Sequence, residues 1–95
     1  MDELLHLLHS DGADELRIRV GQPPTIILER KLQPLESAVI SLEDAERYLQ
    51  AIASSRQRLD LRERGKVEFL YRFRERVTFV VRAWIENDNL AMDIH

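Results

Sequence analysis

The sequence predicts an α+β domain built on a mostly antiparallel sheet, with helices packed on one face of it. Two patterns carry that expectation. Apolar residues recur at helical spacing over residues 2–10 and again over 41–64. Apolar and polar residues alternate over 67–94, in runs joined by short polar turns with no helix between them. Strand runs separate from helix runs read as α+β, not as a parallel βαβ sheet. With 95 residues, 44% hydrophobic and 33% charged, the chain is expected to form one domain over 1–95 with one modest core.

In chain order, Leu4, Leu5, Leu7 and Leu8 gather on one side of a first helix, with Asp2, His6 and His9 on the other. An acidic start suits the helix dipole, and Gly12 is a plausible stop. Two strands are expected near 15–20 and 24–29. Pro23 and Pro24 lie between them, where the lack of an N–H costs no sheet hydrogen bond. Leu32 and Leu35 flank Pro34, which suggests a short, imperfect edge segment. Ser41-Leu42-Glu43-Asp44 has the form of a capping box, and Leu42, Ala45, Leu49 and Ile52 continue it at helical spacing. Ser54 or Ser55 restarts the chain into a second helix that Gly65 ends in a left-handed conformation.

Beyond Gly65, Val67, Phe69, Tyr71 and Phe73 alternate with Glu68, Leu70 and Arg72. A turn near Arg74-Glu75 follows. Val77, Phe79, Val81, Ala83 and Ile85 then share one face, and Thr78, Val80, Arg82 and Trp84 the other. Residues 86–89 form a turn by composition, and Leu90, Met92 and Ile94 close a last strand. The expected core is Leu16, Ile18, Val20, Ile26, Leu49, Ile52, Phe69, Tyr71, Val77, Phe79, Val81 and Leu90.

Several function classes drop out. A net charge of −3 gives no overall basic footprint for nucleic acid. Without cysteine there is no disulfide framework and no thiolate chemistry. No apolar run approaches the ~18 residues of a membrane span. The acidic Met1-Asp2-Glu3 start is unlike a signal peptide, and a cytoplasmic location is expected. Three glycines, at 12, 21 and 65, cannot build a phosphate-cradling loop, and no G-x-x-x-x-G-K-[ST] or G-x-S-x-G motif is present. Asp2, His6 and His9 have spacing that could share a helix face, but they read as a solvated face. Neither catalysis by this chain nor a metal or other cofactor is expected.

The richest cluster is Tyr71, Arg72, Phe73, Arg74, Arg76, Arg82 and Trp84. Strand parity divides it. Tyr71 and Phe73 fall on the core side, whereas Arg72, Arg82 and Trp84 fall outward. An outward Trp beside arginines points to a protein contact, because Trp and Arg dominate interface energetics. Arg72, Arg82 and Trp84 are therefore the candidate interaction residues. The competing reading has the first helix covering Trp84 as a second small core.

The series Gly12-Ala13-Asp14-Glu15-Leu16-Arg17-Ile18, Gly21-x-Pro23-Pro24-x-Ile26 and Leu32-x-Pro34-Leu35 resembles the N-terminal domain of the type IV pilus retraction (twitching motility) and type II secretion ATPases of bacteria. Ser41-Leu42-Glu43-Asp44 stands where that family has T-x-E-D, and Gln57-Arg58 where it has Q-R. Gly65-Lys66-Val67-Glu68-Phe69-Leu70-Tyr71 resembles G-E-x-D-F-x-Y, and Phe79-Val80-Val81-Arg82-Ala83-Trp84 resembles F-R-V-N-x-F. The departures are polar. Ile27-Leu28-Glu29-Arg30 replaces R-x-D-G, Arg17 a histidine, Val80 an arginine, and Glu86-Asn87-Asp88 a Q-R-G. In the family, arginines of this last region can approach nucleotide held by the ATPase core, and Val80 and Asn87 supply no guanidinium.

The resemblance implies a PAS-like fold, a curved and mostly antiparallel sheet with helices on one face, without the Walker-bearing catalytic half. It implies a non-catalytic protein-interaction or oligomerisation domain that docks on a partner or neighbouring subunit of the pilus or secretion machinery. The protein partner is a ring ATPase or the chain's own oligomer. The alternatives are the N-terminal fragment of a full-length hexameric ATPase, and a PAS-like small-ligand sensor. A sensor would need polar residues on the core parity of the strands, and Val77, Phe79, Val81, Leu90 and Met92 offer none.

Overall fold

The helical and alternating segments fold close to where the sequence puts them, in a computed structural model that describes residues 1–95. The order is α1 (Asp2–Ser10), β1 (Glu15–Arg19), β2 (Thr25–Leu28), β3 (Lys31–Pro34), α2 (Leu42–Ile52), α3 (Ser55–Arg64), β4 (Lys66–Phe73), β5 (Val77–Glu86) and β6 (Asn89–Ile94). The six strands form one open sheet in the order β3-β2-β1-β6-β5-β4, and every neighbouring pair is antiparallel. The last strand of the chain is thus central, inserted between β1 and β5.

Each helix packs on the same side of this sheet. α1 lies against β1, α2 against β6, and α3 against β4 and β5. Leu5 and Leu8 of α1, Ala45, Leu49 and Ile52 of α2, and Leu61 of α3 join Leu16, Ile18, Ile26, Phe69, Phe79, Val81, Met92 and Ile94 in a single cluster. No polar or charged side chain is buried with them. Of the expected core, Val20, Tyr71 and Val77 are only partly buried and pack on its rim. Val20 lies just past β1, Val77 begins β5, and Tyr71 belongs to the edge strand β4, so each lacks a neighbour on one side. Leu5, Leu8, Phe73, Ala83, Met92 and Ile94 are buried beyond that expectation.

Local chemistry sets the helix ends. At α2 the Asp44 amide donates to Ser41 Oγ (3.0 Å), and the Ser41 amide donates to Asp44 Oδ2 (3.1 Å). The hydrogen bond from the Ser41 backbone holds the Asp44 carboxyl below its ordinary pKa. A second capping box, Ser54 with Gln57, starts α3. Gly65 ends α3 at φ +78°, its amide bonded to the Leu61 carbonyl.

The Gly-Gln-Pro-Pro corner between β1 and β2 is clamped from outside. Gly21, at φ +87°, donates its amide to the Ile40 carbonyl, and the Ile40 amide donates to the Gln22 carbonyl. The buried Pro24 accepts the Leu35 amide through its carbonyl (2.8 Å). The two prolines therefore hold a corner where acceptors are used and no N–H is needed.

The second strand, expected to run to residue 29, ends at Leu28. β2 and β3 are joined by Glu29 (φ 53°) and Arg30 (φ 67°), both left-handed, between the paired residues Leu28 and Lys31. Such two-residue turns favour Asn-Gly, because a side chain at positive φ is strained. Arg30→Gly is expected to raise the unfolding free energy by about 1 kcal/mol. Urea unfolding measures this, and a loss of stability would mean that the Arg30 side chain holds the turn.

Candidate interaction surface

With every helix on one side, the other side of the sheet is left open. Its residues are those of opposite parity, and the register lines them up in rows across the strands. Arg17, Asp93, Arg82 and Glu68 form one row over β1, β6, β5 and β4, with charge alternating in sign. The next row is Arg19, Ala91, Trp84 and Lys66. Five cations, Arg17, Arg19, Lys66, Arg72 and Arg82, share this face with four acids, Glu15, Glu68, Glu86 and Asp93. The open face thus carries one more cation than acid, on a chain whose net charge is −3.

Trp84 is not covered by α1, which packs on the opposite face through Leu5 and Leu8. Arg19 covers it instead. Its guanidinium lies 4.7 Å from the Trp84 ring centroid, within cation–π range. Three acceptors fix that guanidinium: the Ile18 carbonyl (3.0 Å), the Met92 carbonyl (2.8 Å) and Asp93 Oδ1 (2.7 Å). The arrangement works because Ala91, between Arg19 and Trp84, has no side chain long enough to block the reach. Closed over by its neighbours, Ala91 is only 2% exposed although it lies on the open face. Trp84 itself is half-buried.

The other candidates stand apart. Arg82 Nε donates to Glu68 Oε2 at 2.6 Å, with both side chains more than half exposed. Such a pair adds only about 0.2–1 kcal/mol and leaves both groups open to a partner. Arg72 is opposite Thr78, four residues along β5 from Arg82, or about 13 Å at strand rise. It donates to the Glu75 carbonyl at the β4–β5 turn. Arg72, Arg82 and Trp84 therefore share one face without forming one cluster. Arg19 and Asp93 are the members that sequence reasoning passed over. Their outward parity was visible, but the insertion of β6 between β1 and β5 was not.

Arg17 donates to Glu15 Oε2 (2.8 Å). That hydrogen bond raises the Arg17 pKa, against some desolvation, with attraction to Glu15 and Asp93 adding to it. Arg17 and Arg19 also line a groove of about 500 Å³ at one end of this face, closed by Thr25, Leu32, Pro34 and the β5–β6 turn. Asp2, His6 and His9 are exposed along α1, and no group of three His, Asp or Glu side chains is gathered to hold a metal ion. No helix is long and apolar enough to cross a membrane.

Arg19→Ala should unfold more easily by about 1–3 kcal/mol, since it leaves Asp93 without its partner and uncovers Trp84 and Ala91. Trp84 is the one tryptophan of the chain, so its emission should shift to the red with the far-UV spectrum unchanged. An unshifted emission would show that the stack is not formed in solution.

No protein-family model matches the sequence, and no curated protein matches it either. Solved structures do. The whole chain superposes on 28% of the pilus retraction motor PilT, solved with bound ADP, at a TM-score of 0.92 and 18% identity. It superposes over 99% of its length on 26% of the ATPase DotB of Legionella pneumophila (TM-score 0.77, 21% identity). For the DotB of Yersinia pseudotuberculosis the values are 98% on 28%, TM-score 0.69 and 15% identity. The chain thus spans little more than a quarter of each of these ATPases. At such identities the fold is what is shared, and the motif series of the sequence leads to the same proteins: this chain has the fold of one part of the pilus retraction and DotB ATPases.

Proposed function

We propose that this chain is a non-catalytic protein-interaction domain, related to the N-terminal domain of the type IV pilus retraction and type II secretion ATPases. It works in the bacterial cytoplasm, docking on a ring ATPase or a neighbouring subunit of that machinery. The observation that carries this reading is the one-sided packing. Three helices cover one face of the sheet, and the other presents a half-buried Trp84 among charged side chains, with Arg72 and Arg82. Trp and Arg on a sheet face that no helix covers are the residue types that anchor protein interfaces. The replacement of family arginines by Val80 and Asn87 fits a fold kept without the nucleotide role. Val80 is half-buried on the open face, and Asn87 is in the β5–β6 turn.

The test is binding of the purified chain to the purified pilus retraction or secretion ATPase of the same cell. A micromolar complex is expected, weakened at least ~tenfold by Trp84→Ala or Arg82→Glu, the scale of one interface anchor. No complex at the highest attainable concentration, or one indifferent to both variants, would overturn the reading.

A second reading is favoured by coverage. A match to 28% of the retraction motor is what one domain of a longer ATPase would give. An in-frame G-x-x-x-x-G-K-[ST] motif in the coding sequence beyond His95 would establish it.

A further inference from the structure

The two edges of the sheet are built differently. β3 is four residues long, fully exposed, and carries Pro34 and Lys31, which are features that blunt an edge. β4 is eight residues long, Lys66–Phe73, and has neither proline nor glycine. Only β5 pairs with it, so its other side offers an unbroken row of backbone groups. Leu70, on this strand, is 68% exposed, the most of any large apolar side chain.

The register fixes which groups are free. The Ile85 amide donates to the Gly65 carbonyl, and Val80 exchanges both of its backbone bonds with His95, away from β4. Antiparallel bonding alternates along a strand. Val67, Phe69, Tyr71 and Phe73 therefore bond β5, while Lys66, Glu68, Leu70 and Arg72 point their N–H and C=O groups to the free edge.

We propose that β4 pairs antiparallel with β4 of a second copy, about a two-fold axis at Leu70, joining two six-stranded sheets into one. In this register Leu70 faces Leu70, and Glu68 faces Arg72 twice, once on each side of the axis. All of these are residues whose backbone groups are free, so each such pair exchanges two hydrogen bonds. On the helix side, Phe69 meets Tyr71. The alternating row Arg17, Asp93, Arg82, Glu68 continues without a break into the second copy's Arg72.

Neighbouring registers lose this match. Centring on Phe69 sets Lys66 against Arg72, centring on Tyr71 sets Leu70 against Arg72 and moves Glu68 off the strand to the turn residue Arg74, and centring on Glu68 or Arg72 sets like charge on like charge, which is unfavourable directly across strands. Charges on an edge commonly repel a second strand. Here their order makes the strand complementary to itself. The interface is the backbone edge of the sheet, and it shares Arg72 with the open face.

Sedimentation equilibrium tests it. The wild-type chain should show a concentration-dependent dimer of twice 11.2 kDa. Arg72→Glu sets carboxylate against carboxylate in both of the flanking pairs, and Glu68→Arg sets guanidinium against guanidinium there. Each variant alone should weaken the dimer at least ~tenfold. Mixed in equal amounts, they should recover it, because every one of these cross-strand pairs in the heterodimer is then of opposite sign. Circular dichroism confirms that both variants fold, and both changes are at exposed side chains. A wild-type chain that stays monomeric at the highest attainable concentration would overturn the proposal. So would a dimer indifferent to both variants, or a mixture that fails to recover it. Docking on an ATPase would not be restored by mixing, so the two surfaces are read separately.

Discussion

Phe79→Ala is expected to cost about 3–5 kcal/mol of stability, the usual range for truncating a buried aromatic. Phe79 is 5% exposed and stands on the helix side of β5, opposite Tyr71 of β4. Its ring is 6.0 Å from that of Phe73, tilted by 46°, a favourable aromatic contact that the truncation also removes. The site cannot collapse easily, because its neighbours are fixed by two sheet registers and by the helix layer. In a chain of 95 residues such a loss takes a large share of the whole stability. Urea unfolding with an unchanged m-value measures it. A loss under about 1 kcal/mol would mean that the two faces of the sheet are exchanged.

Leu5→Ala is expected to cost about 2–5 kcal/mol and to release α1 before the rest unfolds. Leu5 is fully buried. α1 has nine residues and no side-chain cap at its start, too short to be stable by itself in water. Its helicity depends on docking, and Leu5 and Leu8 are its two buried anchors, seated by β1 near Leu16 and Ile18. Hydrogen exchange should therefore rise across 2–10 in the variant while the amides of β1, β5 and β6 stay protected. Uniform exchange across the chain would show instead that α1 and the sheet open as one unit.

The open face was legible only in part. Parity alone put Arg72, Arg82 and Trp84 outward, as side chains of one period-2 pattern must be. The same pattern could have put Arg17 and Arg19 there, but nothing local joins residue 19 to residue 84. Glu68 and Arg82 are a similar case. Each is outward by parity, yet their contact follows from the β4–β5 register.

By itself the sequence determined the elements and their faces. Alternation chose the inner and outer sides of each strand. The capping box at Ser41 and the left-handed Gly65 set two helix ends, and the Gly-Gln-Pro-Pro stretch marked the corner between β1 and β2. These are local properties, written within a few residues. Strand order was decided only by the tertiary structure, which brought the C-terminal strand between β1 and β5. That pairing joins segments more than seventy residues apart and leaves no periodic trace in either of them. The turn at Glu29-Arg30, and the left-handed conformation of the expected turn at Arg74-Glu75, belong to the same class. Strand pairing forces positive φ on residues that would not choose it, and packing across the sheet outweighs their local preference.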